Sequence, residues 1–150
     1  MQDDAFDLVW SQDSFLHSGN REQAVKEIDR VIDCTAGTVI FTDPMAADSV
    51  TDSKALQPIL QRLHLGTMGC PSFYRQQFEQ AGFKRFQFDD QTDQLVNHYS
   101  KVLSELQQRA ESLQGKVSQQ YIDDMQSGLQ HWIAGGKAEQ LSWGIFVVQR

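Results

Sequence analysis

Phe6-Asp-Leu-Val-Trp-Ser-Gln-Asp-Ser-Phe-Leu-His17 and, after one amphipathic segment, Thr38-Val-Ile-Phe-Thr-Asp-Pro44 are two apolar runs that each stop abruptly on polar residues. Read together, they are neighbouring strands of an open α/β sheet. In such sheets ligands sit outside the carboxyl ends of the strands, so Ser11 to His17 and Thr42 to Met45 are expected to border one crevice. No Gly-x-Gly-x-x-Gly turn precedes either run.

The segment between them reads as a helix. Asn20 caps it with Gln23 three places on, and Ala24, Val25, Ile28, Val31 and Ile32 recur at helical spacing. The Thr38 to Phe41 run is almost wholly apolar, as expected of a strand covered on both faces and therefore central and parallel. Pro44 to Asp52 reads as a loop. Leu56, Ile59, Leu60 and Leu63 then mark a short helix ending near His64, and Pro71 opens another helix that Gly82 closes. Phe86 and Phe88 alternate with polar residues in Lys84 to Asp89, a strand with one wetter face.

Asp93 opens the clearest helical pattern in the chain, carried by Leu95, Val96, Tyr99, Val102, Leu103, Leu106, Ala110 and Leu113. Ser118 caps a second helix, which the pair Gly135-Gly136 is expected to stop. Leu141 to Val148 is a strong final strand that can return antiparallel to the sheet. The domain plan is therefore a sheet with flanking helices over 1–92, a helical hairpin over 93–136 and a final strand over 137–150.

With 150 residues the chain can bury one core. Thirteen Lys plus Arg against twenty Asp plus Glu leave a net charge of −7, which opposes the phosphate attraction on which nucleic-acid binding depends. No Gly-x-x-x-x-Gly-Lys-Ser loop, His-Glu-x-x-His or Gly-x-Ser-x-Gly elbow is present. His17, His64, His98 and His131 lack the short spacing of a zinc cluster, so no metal is expected. Cys34 and Cys70 form no Cys-x-x-Cys pair, and Met1-Gln-Asp-Asp4 has neither the charge nor the apolar core of a signal peptide. No apolar run is long enough to cross a bilayer. The expectation is a cytoplasmic protein.

Trp10-Ser-Gln-Asp-Ser-Phe-Leu-His-Ser18 and Phe41-Thr-Asp-Pro-Met45 resemble the S-adenosylmethionine-dependent methyltransferases, and more narrowly the sarcosine/dimethylglycine N-methyltransferases that complete glycine betaine synthesis. Leu56-Gln-Pro-Ile-Leu-Gln-Arg-Leu-His64, Leu95-Val-Asn-His-Tyr99, and Gly128-Leu-Gln-His-Trp132 followed by Leu141-Ser-Trp-Gly144 agree in the same order. The resemblance implies the later half of a Rossmann-like class I sheet, with a helical hairpin inserted before the last strand. The glycine-rich turn and acidic residue that hold most of the cofactor in this family are not among these segments. Met1 to Phe6 falls where the family has an acidic loop leading into its fourth strand. A truncated form, a gene fragment or one piece of a split enzyme is therefore expected, with weak cofactor binding by itself and a tendency to dimerise through an exposed sheet edge.

The same resemblance assigns roles. Ser11 and Gln12 would lie along the methionine end of S-adenosylmethionine, and His17 would accept a proton from the amine or organise its hydrogen bonds. The alternative for His17 is a helix-entry residue bonding the backbone. Asp13 would face the amine, or would serve as an N-cap or turn residue. Arg62 and His64 could hold a substrate carboxylate, although helices also carry such residues near their ends for dipole reasons alone. Tyr74, Tyr99, Trp132 and Trp143 are possible walls for a quaternary ammonium, or simply core. Two further functions stay open: methylation of a phosphobase or lipid, and a non-catalytic module whose long helices mediate association.

Overall fold

A computed structural model describes residues 2–150. Met1, where the expected acidic loop begins, lies outside them. The chain forms strands β1 (Leu8–Gln12), β2 (Thr38–Ala46), β3 (Arg85–Asp90) and β4 (Leu141–Gln149) in the sheet order β1-β2-β4-β3. β1 runs parallel to β2, while β4 runs antiparallel to both β2 and β3. The carboxyl ends of β1, β2 and β3 and the start of β4 therefore lie along one edge of the sheet.

Helix α1 (Arg21–Val31) joins β1 to β2, and the Asn20 side chain accepts from the Gln23 amide as its cap. Between β2 and β3 lie a 3-10 turn (Ser53–Leu56), α2 (Gln57–Arg62) and α3 (Pro71–Gln80). α4 (Thr92–Leu113) and α5 (Gln119–Lys137) form the hairpin between β3 and β4, with Ser118 capping α5 at the Tyr121 amide.

Strand periodicity gives the sheet two unlike faces. On one, the row Ser11, Phe41, Phe146 and Phe88 is covered by helices. Phe41 and Phe146 stack at 4.3 Å, and Phe15, Tyr74 and Phe78 close around Phe41. A second cluster, with Leu16, Leu56, Ile59, Leu60, Leu95, Trp132 and Leu141, joins the hairpin to α2 and β4. The other face leaves large apolar side chains in solvent: Trp10 is 64 % exposed and Leu8 51 %, with Ile145 beyond them. Among the described residues, β1 pairs with β2 alone.

Three expectations need correction. β2 is central but not wholly parallel: it runs parallel to β1 and antiparallel to β4, and its Thr38 and Ile40 face is only partly covered. Pro44 and Met45 belong to β2, not to a loop. The reason is local: Trp143, opposite Pro44, gives its amide to Thr92 Oγ1 and its carbonyl to the Gln91 amide, so the Pro44–Trp143 pair exchanges no backbone bonds. The missing N–H of Pro44 then falls on the side of β1, which has already ended at Gln12, and costs the ladder nothing.

The pair Gly135-Gly136 does not stop α5, which runs on to Lys137. The stop is made by Glu139, at φ +54°, where the Glu139 and Gln140 amides return to the Gly136 and Gly135 carbonyls. The glycines serve close approach instead. A Cβ at Gly135 would meet Leu141 Cδ1 at 2.9 Å, and one at Gly136 would collide with Val96.

Gly136→Ala should therefore destabilise the protein by about 1–3 kcal/mol through overpacking, more than the roughly 1 kcal/mol that alanine gains in a helix. Adding Val96→Ala should recover part of the loss in urea denaturation. A single Gly136→Ala variant more stable than the parent would contradict this packing.

Candidate active site

The left-handed backbone of Asp13, at φ +47°, turns the chain sharply as β1 ends. Asp is one of the few residues that tolerates this conformation. Its amide donates to the Thr42 carbonyl at 2.9 Å, so the tips of β1 and β2 lie side by side. Its carboxylate then joins three strands: Asp13 Oδ1 accepts from Thr42 Oγ1 at 2.8 Å and from Trp143 Nε1 at 2.9 Å. One oxygen accepts both donors, and Oδ2 makes no hydrogen bond among the described residues.

Asp13 borders a cavity of about 410 Å³ with Gln12, Pro44, Gln94, Leu95, His98, Tyr99 and Trp143. Its volume falls within the range of small-molecule sites. The floor comes from the strand tips and one wall from the first turns of α4. Tyr99 is braced from behind by Trp132, stacked at 5.2 Å and itself buried. Burial, and then the charge of Asp13, push the Tyr99 hydroxyl above its ordinary value, so it remains protonated. The cavity thus combines a carboxylate, two aromatic side chains and neutral donors, a set suited to a small cation.

Of the residues singled out from sequence, Gln12, Asp13, Tyr99 and Trp143 meet at this cavity. The others lie elsewhere. Ser11 points to the opposite, helix-covered face of β1, in a groove with Ala24 and Ile28. His17 is exposed at the end of a 3-10 turn (Phe15–His17), its amide donating to the Ser14 carbonyl. Arg62 is held by α5, donating to the Asp124 carbonyl at 2.5 Å and packing on Gly128, where a Cβ would leave it no room. His64, at φ +54°, is exposed where the chain leaves α2. Tyr74 is wholly buried and donates to Asp43 Oδ2 at 2.7 Å. Leu95 and His98 belong to the Leu95-Val-Asn-His-Tyr99 segment but carry no expected site role, and Gln94 carries none; the i, i+4 spacing of Gln94 and His98 on a helix adjoining Tyr99 is the signal that points to them. Among the described residues, no group of three or more His, Cys, Asp or Glu side chains is arranged to hold a metal ion.

Beneath the cavity, Asp43 is a wholly buried carboxylate on β2. Burial raises it to about 6, against the opposing pull of the bonds from Tyr74 and the Leu16 amide. Tyr74 is pushed far above its ordinary value, by burial first and Asp43 second.

No protein-family model matches the chain. Over 148 residues it is 51 % identical to the sarcosine/dimethylglycine N-methyltransferase of Halorhodospira halochloris, a match covering 99 % of this chain and 52 % of that protein. A crystal structure of a putative sarcosine dimethylglycine methyltransferase from Galdieria sulphuraria superposes with a TM-score of 0.91 at 37 % identity, covering 99 % of this chain and 54 % of that one. A phosphoethanolamine N-methyltransferase from Haemonchus contortus, solved with S-adenosyl-L-methionine, shares the fold at a TM-score of 0.84 and 16 % identity. The fold is that of the class I, S-adenosylmethionine-dependent methyltransferases. Within that class the chain is a relative of the sarcosine/dimethylglycine N-methyltransferases and spans about half their length.

The raised value of Asp43 makes stability pH-dependent in a defined direction. An unfolded carboxyl titrates near 3.8, so between about 4 and 6 the folded state binds more protons, and this group favours folding as pH falls through 6. Relative to Asp43→Asn, the parent should gain about 2 kcal/mol of unfolding free energy between pH 7 and pH 4.5, measured in urea. A difference that stays flat across this range would contradict the assignment.

Proposed function

We propose that this chain forms the amine-binding side of an enzyme that transfers a methyl group from S-adenosylmethionine to sarcosine or dimethylglycine, towards glycine betaine. The observation that carries the reading is the cavity at the strand tips, where Asp13 stands between Tyr99 and Trp143. A secondary or tertiary amine becomes more cationic as it is methylated. A carboxylate with aromatic neighbours favours that developing charge.

The residues present fit the cofactor's sulfonium end. Gln12, exposed at the cavity mouth, offers an amide donor and acceptor, and Asp13 supplies negative charge. Ser11, on the other face of β1, would touch the cofactor only through its backbone. When bound, the cofactor supplies an electrophilic methyl group. The chain's own part is alignment: Asp13 holds the amine, Tyr99 and Trp143 exclude water, and Gln94 and His98 offer donors for the substrate carboxylate. Such positioning is worth roughly 7–11 kcal/mol when reacting groups are well oriented. His17, exposed on the turn after Asp13 and outside the cavity lining, is proposed to take up the amine proton by way of solvent.

The phosphobase alternative has weaker support. Relatives at 21–23 % identity include plant phosphoethanolamine N-methyltransferases, yet among the described residues no Lys or Arg lines the cavity to meet a phosphate. The association-module alternative is disfavoured because α4 and α5 pack against each other and, through the second cluster, against α2 and β4. We further propose that the open sheet face carrying Leu8 and Trp10, with the edge of β1, is covered by the part of the family's length that this chain does not span, and that the isolated chain dimerises there. Among the described residues no helix is long and apolar enough to cross a membrane; both cysteines are unpaired, and on that ground we propose a reducing, cytoplasmic setting.

A chimera joining this chain to the preceding half of the Halorhodospira halochloris relative should methylate sarcosine or dimethylglycine and not phosphoethanolamine. In it, Asp13→Asn should raise the KM for the amine by about 10- to 100-fold, the loss of one charge-assisted bond. His17→Gln should lower kcat with little change in KM. Turnover of phosphoethanolamine alone would overturn the betaine reading.

A further inference from the structure

Two side chains stand where local preference argues against them. Arg21 opens the first turn of α1, where the positive end of the helix disfavours a cation. Asp43 sits wholly buried between Phe41 and Met45 on the helix-covered strand face, where a carboxylate is costly unless fully bonded. Both converge on one residue. Asp43 Oδ1 accepts the Leu16 amide at 2.8 Å, and Arg21 Nη2 donates to the Leu16 carbonyl at 3.0 Å.

The grip has further anchors on either side. Asp43 Oδ2 accepts the Tyr74 hydroxyl from α3 at 2.7 Å, and Arg21 reaches across to the Thr67 carbonyl at 2.8 Å, in the loop that leads into α3. Leu16 itself is 4 % exposed, its side chain in the cluster that also holds Leu95 and Trp132. The turn from Asp13 to Ser18 is thus tied to β2, α1 and α3 through the two polar groups of one peptide residue. Such a tie matters because a left-handed residue other than glycine keeps its conformation when its surroundings hold it.

We propose that Asp43 and Arg21 are positioning residues: by holding the N–H and C=O of Leu16 they fix the turn after β1, and with it the direction of the Asp13 carboxylate towards Thr42 and Trp143. Neither touches the cavity. The consequence for catalysis rests on the amine-site reading above, whereas the clamp can be measured without any substrate.

The test uses the isotopically labelled 150-residue chain, following amide exchange at Leu16 and the indole N–H resonance of Trp143, which reports its bond to Asp13. Arg21→Gln, which lies at the helix start and disturbs no core packing, should speed Leu16 exchange at least tenfold and shift the Trp143 indole signal. The amides of Val39, Phe41 and Val148 should keep their protection. Arg21→Lys, which retains one donor, should fall between, and Asp43→Asn should weaken the clamp while keeping an acceptor oxygen for Leu16. If Arg21→Gln leaves both the Leu16 exchange rate and the Trp143 indole unchanged, the proposal is wrong. If both signals respond while no amine is methylated by the chimera, the clamp stands and the functional reading fails.

Discussion

One carboxylate oxygen organises the end of this sheet. Asp13 Oδ1 receives a hydroxyl from β2 and an indole N–H from β4, so the tips of three strands are referred to a single atom at the close of β1. The cavity follows from that convergence. Trp143 cannot turn away without giving up its donor bond, and its backbone in turn ties the start of β4 to the first residues of α4 through Thr92 and Gln91. The helix carrying Tyr99 and His98 is thereby set at a fixed distance from Asp13. Charge at the site is concentrated in a half-buried place, where hydrogen bonds and aromatic contacts count for more than in open water.

The covered and open faces of the sheet divide the labour. Rings from β2, β3, β4 and α3 give the covered face its rigidity, with Asp43, among the described residues, the one wholly buried carboxylate, bonded through both oxygens. The open face carries Trp10 and Leu8 into solvent beside an unpaired strand edge, an arrangement that exposes backbone donors and acceptors to any complementary strand. The chain spans about half the length of its relatives, and the proposal that the remainder covers this face gives such a surface its place.

Much of the fold was legible because its signals are local. Asn20 with Gln23, Ser118 before Tyr121, and Gly82 at φ +87° each act within a few residues, and there pattern and structure agree. Pattern and structure part where a distant neighbour decides. Pro44 looks like a strand breaker until Trp143 supplies a partner that asks nothing of its nitrogen, and Gly135-Gly136 look like a helix stop until Val96 and Leu141 crowd against them. The site shows the same division. Gln12 and Asp13 follow from the end of an apolar run, and Tyr99 and Trp143 from segments that resemble the methyltransferase family. Arg62 turns instead to Asp124 and Tyr74 to Asp43, partners 62 and 31 positions away that no spacing rule connects.

The claim on which the account depends is that a methylated amine sits against Asp13 between Tyr99 and Trp143. A crystal structure of the completed enzyme with dimethylglycine and S-adenosylhomocysteine tests it most directly. The account predicts the substrate nitrogen within hydrogen-bonding reach of Asp13 Oδ2 and in contact with both rings. Substrate bound away from this cavity, with Asp13 still bonded only to Thr42 and Trp143, would contradict it.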